Sequence, residues 1–121
     1  MAEPPRDLRE RTKTYALRNI RLYSSLPKST VAQIIGKQLL RSGTSVGAHY
    51  REASRRKSTA DFISKMEGGL QELDETGYWL ELLMEAGIVP GERLTDLQSE
   101  TNELIAIFVA SIKTAKTNNP P

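Results

Sequence analysis

At 121 residues the chain has the length of one domain, long enough to bury a single core and small enough that a leftover apolar face would favour self-association. It has no cysteine, which excludes a disulfide framework, a thiolate metal site and a cysteine nucleophile. Its net charge of +2 conceals a division: residues 1–57 carry 13 Lys and Arg against 4 Asp and Glu (+9), and residues 58–121 carry 4 against 11 (−7).

Four helical segments account for nearly all of the chain, at roughly 8–25, 30–56, 59–87 and 91–116. The first has Asp7 as its N-cap and an apolar stripe of Leu8, Tyr15, Ala16, Ile20, Leu22, Tyr23 and Leu26; Pro27 ends it, because proline cannot continue the hydrogen-bond ladder. The second opens at Ser29-Thr30, where Thr30 and Gln33 fit a capping box. Val31, Ile35, Leu39, Ser42, Val46, Tyr50 and Ala53 then repeat at three- and four-residue steps, an amphipathic pattern. Gly43 and Gly47 fall inside this helix, where each costs about 1 kcal/mol relative to alanine. Close approach of another helix to a small-residue face would offset that cost.

The third segment opens at Ser58-Thr59-Ala60-Asp61, again resembling a capping box, and continues through Ile63, Met66, Leu70, Leu73, Gly77, Leu80, Met84 and Gly87. Phe62, Tyr78, Trp79 and Leu83 widen its apolar face, which suggests contacts on two sides, one inside the molecule and one with another chain. Gly87 is a natural stop. The fourth segment follows Pro90-Gly91, with Leu94, Leu97, Thr101, Leu104, Phe108, Ser111 and Ala115 at heptad spacing. No run shows the period-two alternation of a strand. Short connections between long helices predict an all-α, antiparallel, up-down-up-down four-helix bundle.

No run approaches the roughly 18 apolar residues of a membrane span, and Met1 to Arg6 lack the apolar core of a secretory signal. A cytoplasmic protein with no membrane association is the expectation. A di-iron bundle needs two Glu-x-x-His motifs, and this chain has one histidine, His49, and none of them. Glu72-x-x-Glu75 places two carboxylates one turn apart without imidazole partners, and pairing with arginines of the second helix, or simple solvation, accounts for them. No metal and no cofactor are expected. His49 has no nucleophile motif beside it, and Ser42, Thr44 and Ser45 lie in no Gly-x-Ser-x-Gly elbow. Gly36, Gly43 and Gly47 do not have the spacing of a phosphate loop. Arg41, His49 and Arg51 exclude a bilayer setting for Gly43-x-x-x-Gly47. No enzyme activity is expected.

The basic residues carry more weight. Arg51, Arg55, Arg56 and Lys57 gather at the end of the second helix; Arg18, Arg21, Arg11, Lys13 and Arg41 could extend the patch if the first helix lies alongside. Such a surface neutralises phosphates with little sequence preference; cations at a helix C-terminus also complement the helix dipole. No aromatics interleave with these arginines, so stacking on bases is not indicated. The charge division fits a basic binding surface, pairing between the two halves of the chain, or both.

The run QLLRSGTSVGAHYREA, Gln38 to Ala53, closely resembles the signature of the small four-helix-bundle proteins encoded within intervening sequences of bacterial 23S ribosomal RNA genes. The likeness continues, in order, through RRKSTADFISKMEGGLQELDETGYWLELLMEAG, Arg55 to Gly87, so that the two runs cover about two fifths of the chain. It implies a bundle that assembles as a ring, typically a homopentamer. The chain also looks like the accessory variability protein of diversity-generating retroelements, a basic pentamer that binds nucleic acid and a reverse transcriptase. Arg41 and Ser45 fall on the family's helix-2 signature, and Glu72 and Glu75 on its helix-3 acidic pair. With His49 and Trp79 they are expected to hold helices together or face a neighbouring subunit. The family usually has asparagine where this chain has His49, a change that keeps hydrogen-bonding capacity. The expected function is oligomeric nucleic-acid binding, of RNA or DNA, with a protein partner also in view. The alternative is a structural or protein-interaction module without nucleic-acid affinity.

Overall fold

A computed structural model describes residues 7–118. Four α-helices follow one another: α1 (Leu8–Ser24), α2 (Thr30–Ser54), α3 (Thr59–Glu85) and α4 (Thr95–Asn118), with a 3₁₀ turn at Gly91–Arg93. Among the described residues there is no strand.

Side chains fix the helix starts. The Asp7 carboxylate accepts from the Arg9 amide at 3.0 Å. The α2 cap is Ser29 rather than Thr30: its hydroxyl accepts from the Ala32 amide at 3.3 Å. Gln33 does not close a capping box. Its amide nitrogen donates to the Pro27 carbonyl at 2.9 Å and its oxygen accepts from the Tyr23 hydroxyl at 3.0 Å, so it staples the α1–α2 turn. Ser58 caps α3 through the Asp61 amide, while the Asp61 carboxylate reaches back to the Lys57 amide at 3.1 Å.

Gly87 ends α3 in a Schellman motif. Its φ of 72° is left-handed, the Ile88 amide donates to the Leu83 carbonyl at 3.0 Å, and the Gly87 amide donates to that of Met84 at 3.0 Å. α4 does not begin at Gly91. The Arg93 and Leu94 amides bond back to Pro90 and Gly91, closing a 3₁₀ turn that drops Leu94 fully into the core. The α-helical ladder opens only when Gln98 donates to Leu94 at 2.8 Å.

All four helices line one core, built around Tyr15 and Leu22 of α1, Leu39 and Val46 of α2, Met66, Leu73 and Leu80 of α3, and Leu104 and Phe108 of α4. Each such large side chain contributes about 1.5–3 kcal/mol when fully buried. The buried faces keep the centres of the expected stripes, Leu39, Ser42 and Val46 of α2 and Met66, Leu73 and Leu80 of α3, and are rotated slightly from them. On α2 the core takes Ala32 and Gly36, and Val31 is 57% exposed. On α3 it takes Gly69, Thr76 and Leu83 beside Met66, Leu73 and Leu80. On α1, Ile20 is 40% exposed whereas Thr12 and Asn19 are buried.

The seams explain the rotation. α1 lies against a small-residue strip of α2: Gly36 faces Tyr23 and Leu26, Gly43 faces Asn19, and Gly47 faces Thr12. A β-carbon on Gly43 would lie 2.6 Å from Asn19 Cγ, so the helices approach this closely only because it is glycine. On the other flank of α2, Ser42 meets Thr76, and His49 stands against Gly68 and Gly69 of α3. Gly69 and Gly77 also face Phe108 and Thr101 of α4. α1 and α4 touch sparsely, tied by Tyr15 to Thr101 and by Arg11 to Glu100.

Candidate nucleic-acid interface

Two arginines of the basic half are consumed inside the molecule. Arg11 of α1 donates from Nε and Nη2 to both carboxylate oxygens of Glu100 on α4, at 2.8 and 2.7 Å, and its Nη2 also reaches Glu103 at 2.8 Å. The Arg11 and Glu100 side chains are each only 15% exposed, and the Glu100 hydrogen bonds hold the guanidinium above its usual pKa. Arg41 of α2 bridges the two carboxylates of α3, Glu72 at 3.2 Å and Glu75 at 2.6 Å, and the Glu72 bond likewise raises its pKa. Glu67 of α3 meets Lys116 of α4 at 3.6 Å. The acidic half thus spends several of its carboxylates on helix-to-helix pairing.

The remaining cations fall into separate groups. Arg51 stands in the last turn of α2 and Arg55 caps it. Arg55, Arg56 and Lys57 are exposed at the α2–α3 turn, with the Arg56 guanidinium 5.0 Å from the Phe62 ring centroid. Arg51 also lines a groove between α1 and α2 with Arg9 and Lys13. Arg18 and Arg21 are elsewhere: with Leu22, Ser25, Arg93 and Leu97 they line a groove between α1 and α4, near the far end of α1. The structure therefore joins Arg51 to Lys13 but gives Arg18 and Arg21 a different face, while Arg11 and Arg41 are held by carboxylates. Arg9 was not singled out in the sequence. Its one-turn spacing from Lys13 is a local signal, but only the docking of α1 on α2 sets it beside Arg51.

Of the residues expected to be architectural, Ser45 donates to the Arg41 carbonyl at 2.7 Å. His49 Nδ1 is 3.7 Å from Glu52 and its Nε2 is 3.9 Å from Glu72, the carboxylate that also takes Arg41. The missing β-carbons of Gly68 and Gly69 leave room for the imidazole. Trp79 is half-buried next to the 54% exposed Tyr78, the ring centroids 5.1 Å apart and the planes tilted by 58°. The core also holds polar groups that apolar periodicity does not reveal. Tyr15 reaches Thr101 at 2.6 Å, Ser42 meets Thr76 at 2.8 Å, and Asn19 donates to the Tyr15 carbonyl at 3.0 Å. Burial pushes the Tyr15 phenol up to about 12.

Among the described residues no group of three or more His, Cys, Asp or Glu could hold a metal ion, and no helix is long and apolar enough to cross a membrane. A groove lies between the start of α3 and the end of α4, lined by Phe62, Ile107, Ala110 and Ala115 together with Arg56.

The family model described as 23S rRNA-intervening sequence protein matches residues 7–110. The fold is similar to the crystal structure of a protein of unknown function from the S23 ribosomal protein family of Bacteroides thetaiotaomicron. The TM-score is 0.83 and the identity 36%, over 88% of this chain and 99% of that one. Comparison with curated proteins gives no match.

Proposed function

The chain belongs to the 23S rRNA-intervening sequence protein family, and from there we propose that it is a non-enzymatic, oligomeric nucleic-acid-binding protein directed to RNA. The observation that carries this reading is the cluster Arg51, Arg55, Arg56 and Lys57, all exposed and none in an ion pair among the described residues. Glu72, Glu75 and Glu100 are turned to Arg41 and Arg11 rather than to the cluster, and the Asp61 carboxylate beside it takes the Lys57 backbone amide at 3.1 Å, not a cationic head group. Uncompensated cations bind phosphates by releasing counterions.

The helices run in antiparallel, up-down-up-down order. Support comes from the short connections and from contacts that descend along α1 as they rise along α2, Gly36 with Leu26, then Gly43 with Asn19, then Gly47 with Thr12. Self-association into a ring, typically of five in the resemblance, is supported by apolar side chains left in solvent, Val31 at 57%, Ile34 at 60% and Tyr78 at 54% exposure. Kinship with the accessory variability protein of retroelements and a cytoplasmic setting belong to the same proposal.

Fluorescence anisotropy with a labelled mixed-sequence RNA at low salt tests the function. Binding should be micromolar and weaken steeply with salt, and glutamine at Arg51, Arg55, Arg56 and Lys57 should remove most of it. No binding at low salt ends the reading. A structural module without nucleic-acid affinity is the competing reading, favoured by the Arg11 and Arg41 pairs. It predicts that salt dissociates the oligomer while RNA has no effect on its size.

A further inference from the structure

The helix seams differ in how their charge is balanced. The α1–α4 seam carries Arg11 with Glu100 and Glu103, the α2–α3 seam carries Arg41 with Glu72 and Glu75, and the α3–α4 seam carries Lys116 with Glu67. Among the described residues no ion pair crosses the α1–α2 seam. The groove there is lined by Arg9, Lys13 and Arg51 around Ala16, Gly47 and Ala48, with no carboxylate in its wall. The one acidic residue of α2, Glu52, does not line this groove and stands 3.7 Å from His49. None of the three cations is in an ion pair among the described residues.

Three exposed cations without a paired carboxylate leave a positive site that an anion from outside can neutralise. The small residues that let α1 approach α2 bring these cations together from two helices. Arg9 and Lys13 are one turn apart, about 6 Å along the axis, and Arg51 lines the same groove with Gly47 and Ala48. The two hydroxyls in the wall are committed inward, Thr12 to the Leu8 carbonyl and Thr44 to the Leu40 carbonyl, each at 2.7 Å. The cations are therefore the free donors of this wall, and no aromatic side chain lines it for a base to stack on.

We propose that the α1–α2 groove is a backbone-phosphate clamp for nucleic acid, in which Arg9, Lys13 and Arg51 hold consecutive phosphodiesters without reading the bases. This rests on the nucleic-acid reading above and extends its contact surface from Arg51 to Arg9 and Lys13. Arg18 and Arg21 line a second groove without a carboxylate, together with Arg93, whose guanidinium donates to the Ser25 hydroxyl at 3.2 Å, and the clamp sets that groove outside the contact.

The test is anisotropy with a labelled mixed-sequence RNA across a salt series, comparing the full chain with the triple variant Arg9→Gln, Lys13→Gln, Arg51→Gln and with the control Arg18→Gln, Arg21→Gln. Loss of three phosphate contacts should flatten the slope of log affinity against log salt by about 2 for a single strand. The control should keep the parental slope, and a scrambled RNA should bind the parent equally. Light scattering is run on each variant. If the parent binds and the triple variant keeps its slope and affinity, the clamp is wrong and the nucleic-acid reading stands. If the triple variant loses binding together with a change in molar mass, the groove is a subunit contact and the clamp is again wrong. Strong preference between scrambled RNAs overturns base-independence and with it the clamp. If the parent itself does not bind, both readings fall.

Discussion

Tyr15 of α1 donates a hydrogen bond of 2.6 Å to Thr101 of α4. The direction follows because the Thr101 hydroxyl hydrogen goes to the Leu97 carbonyl at 2.8 Å. Burial raises the phenol from 10.0 to about 12. The native state therefore keeps a proton that the unfolded chain releases near pH 10, and stability falls as pH rises from about 10 to 12, by about 2–3 kcal/mol in all. Tyr15→Phe should lose about 1 kcal/mol at neutral pH and show a flatter decline above pH 10. Urea unfolding at several alkaline pH values measures both; parallel declines in parent and variant would mean that Tyr15 is not the group responsible.

Two glycines should respond to alanine with opposite signs. A β-carbon on Gly43 meets Asn19 Cγ at 2.6 Å, and Asn19 is fully buried and bonded to the Tyr15 carbonyl. Overpacking there should cost about 1–3 kcal/mol, more than the helix-propensity gain of under about 1. A β-carbon on Gly77 meets nothing nearer than Thr101 Cγ2 at 3.7 Å. Gly77→Ala should stabilise by roughly 0.5–1 kcal/mol. Denaturation midpoints moving in the same direction would contradict the α1–α2 packing.

The two arginine bridges should differ in worth. Arg11 and Glu100 are each 15% exposed and share two hydrogen bonds, so Arg11→Gln should cost about 1.5–3 kcal/mol. Arg41 is 50% exposed, and solvent screening limits Arg41→Gln to under about 1 kcal/mol. Salt should weaken the Arg41 contribution more than that of Arg11. Chemical denaturation of both variants at low and high salt reads the difference, and equal losses would reject the burial argument.

Val31 and Ile34 are one turn apart and more than half exposed. Replacing exposed side chains usually shifts monomer stability by no more than about 0.5 kcal/mol. If they form a subunit contact, the double variant Val31→Glu, Ile34→Glu should keep its helical circular dichroism while its molar mass falls. An unchanged mass would place the contact elsewhere.

Helix number and order were legible because the breaks carry their own chemistry: Pro27, the Ser58 cap and Gly87 with its left-handed φ. The faces were less legible. Hydrophobicity favours Val31 over Ala32 as a core residue, but the core takes Ala32 and leaves Val31 in solvent. Apolar counting also misses Thr12 and Asn19, whose polar groups bond to carbonyls one turn back on their own helix. The basic residues could be counted but not sorted. Whether an arginine is spent or free depends on which seam it enters, and that is settled by tertiary contacts between residues as distant as Arg11 and Glu100.

The buried polar groups have one more effect. Successive turns of leucine offer nearly equivalent surfaces, so apolar contact alone would tolerate a helix that slips lengthwise by one turn, about 5.4 Å. The Tyr15–Thr101 and Ser42–Thr76 pairs do not tolerate it. A slipped α4 would set the Tyr15 hydroxyl against a leucine such as Leu97 or Leu104, and an unpaired buried hydroxyl costs about 1–3 kcal/mol. The leucines supply the adhesion, and a few hydroxyls set the point at which each helix stops sliding past its neighbour.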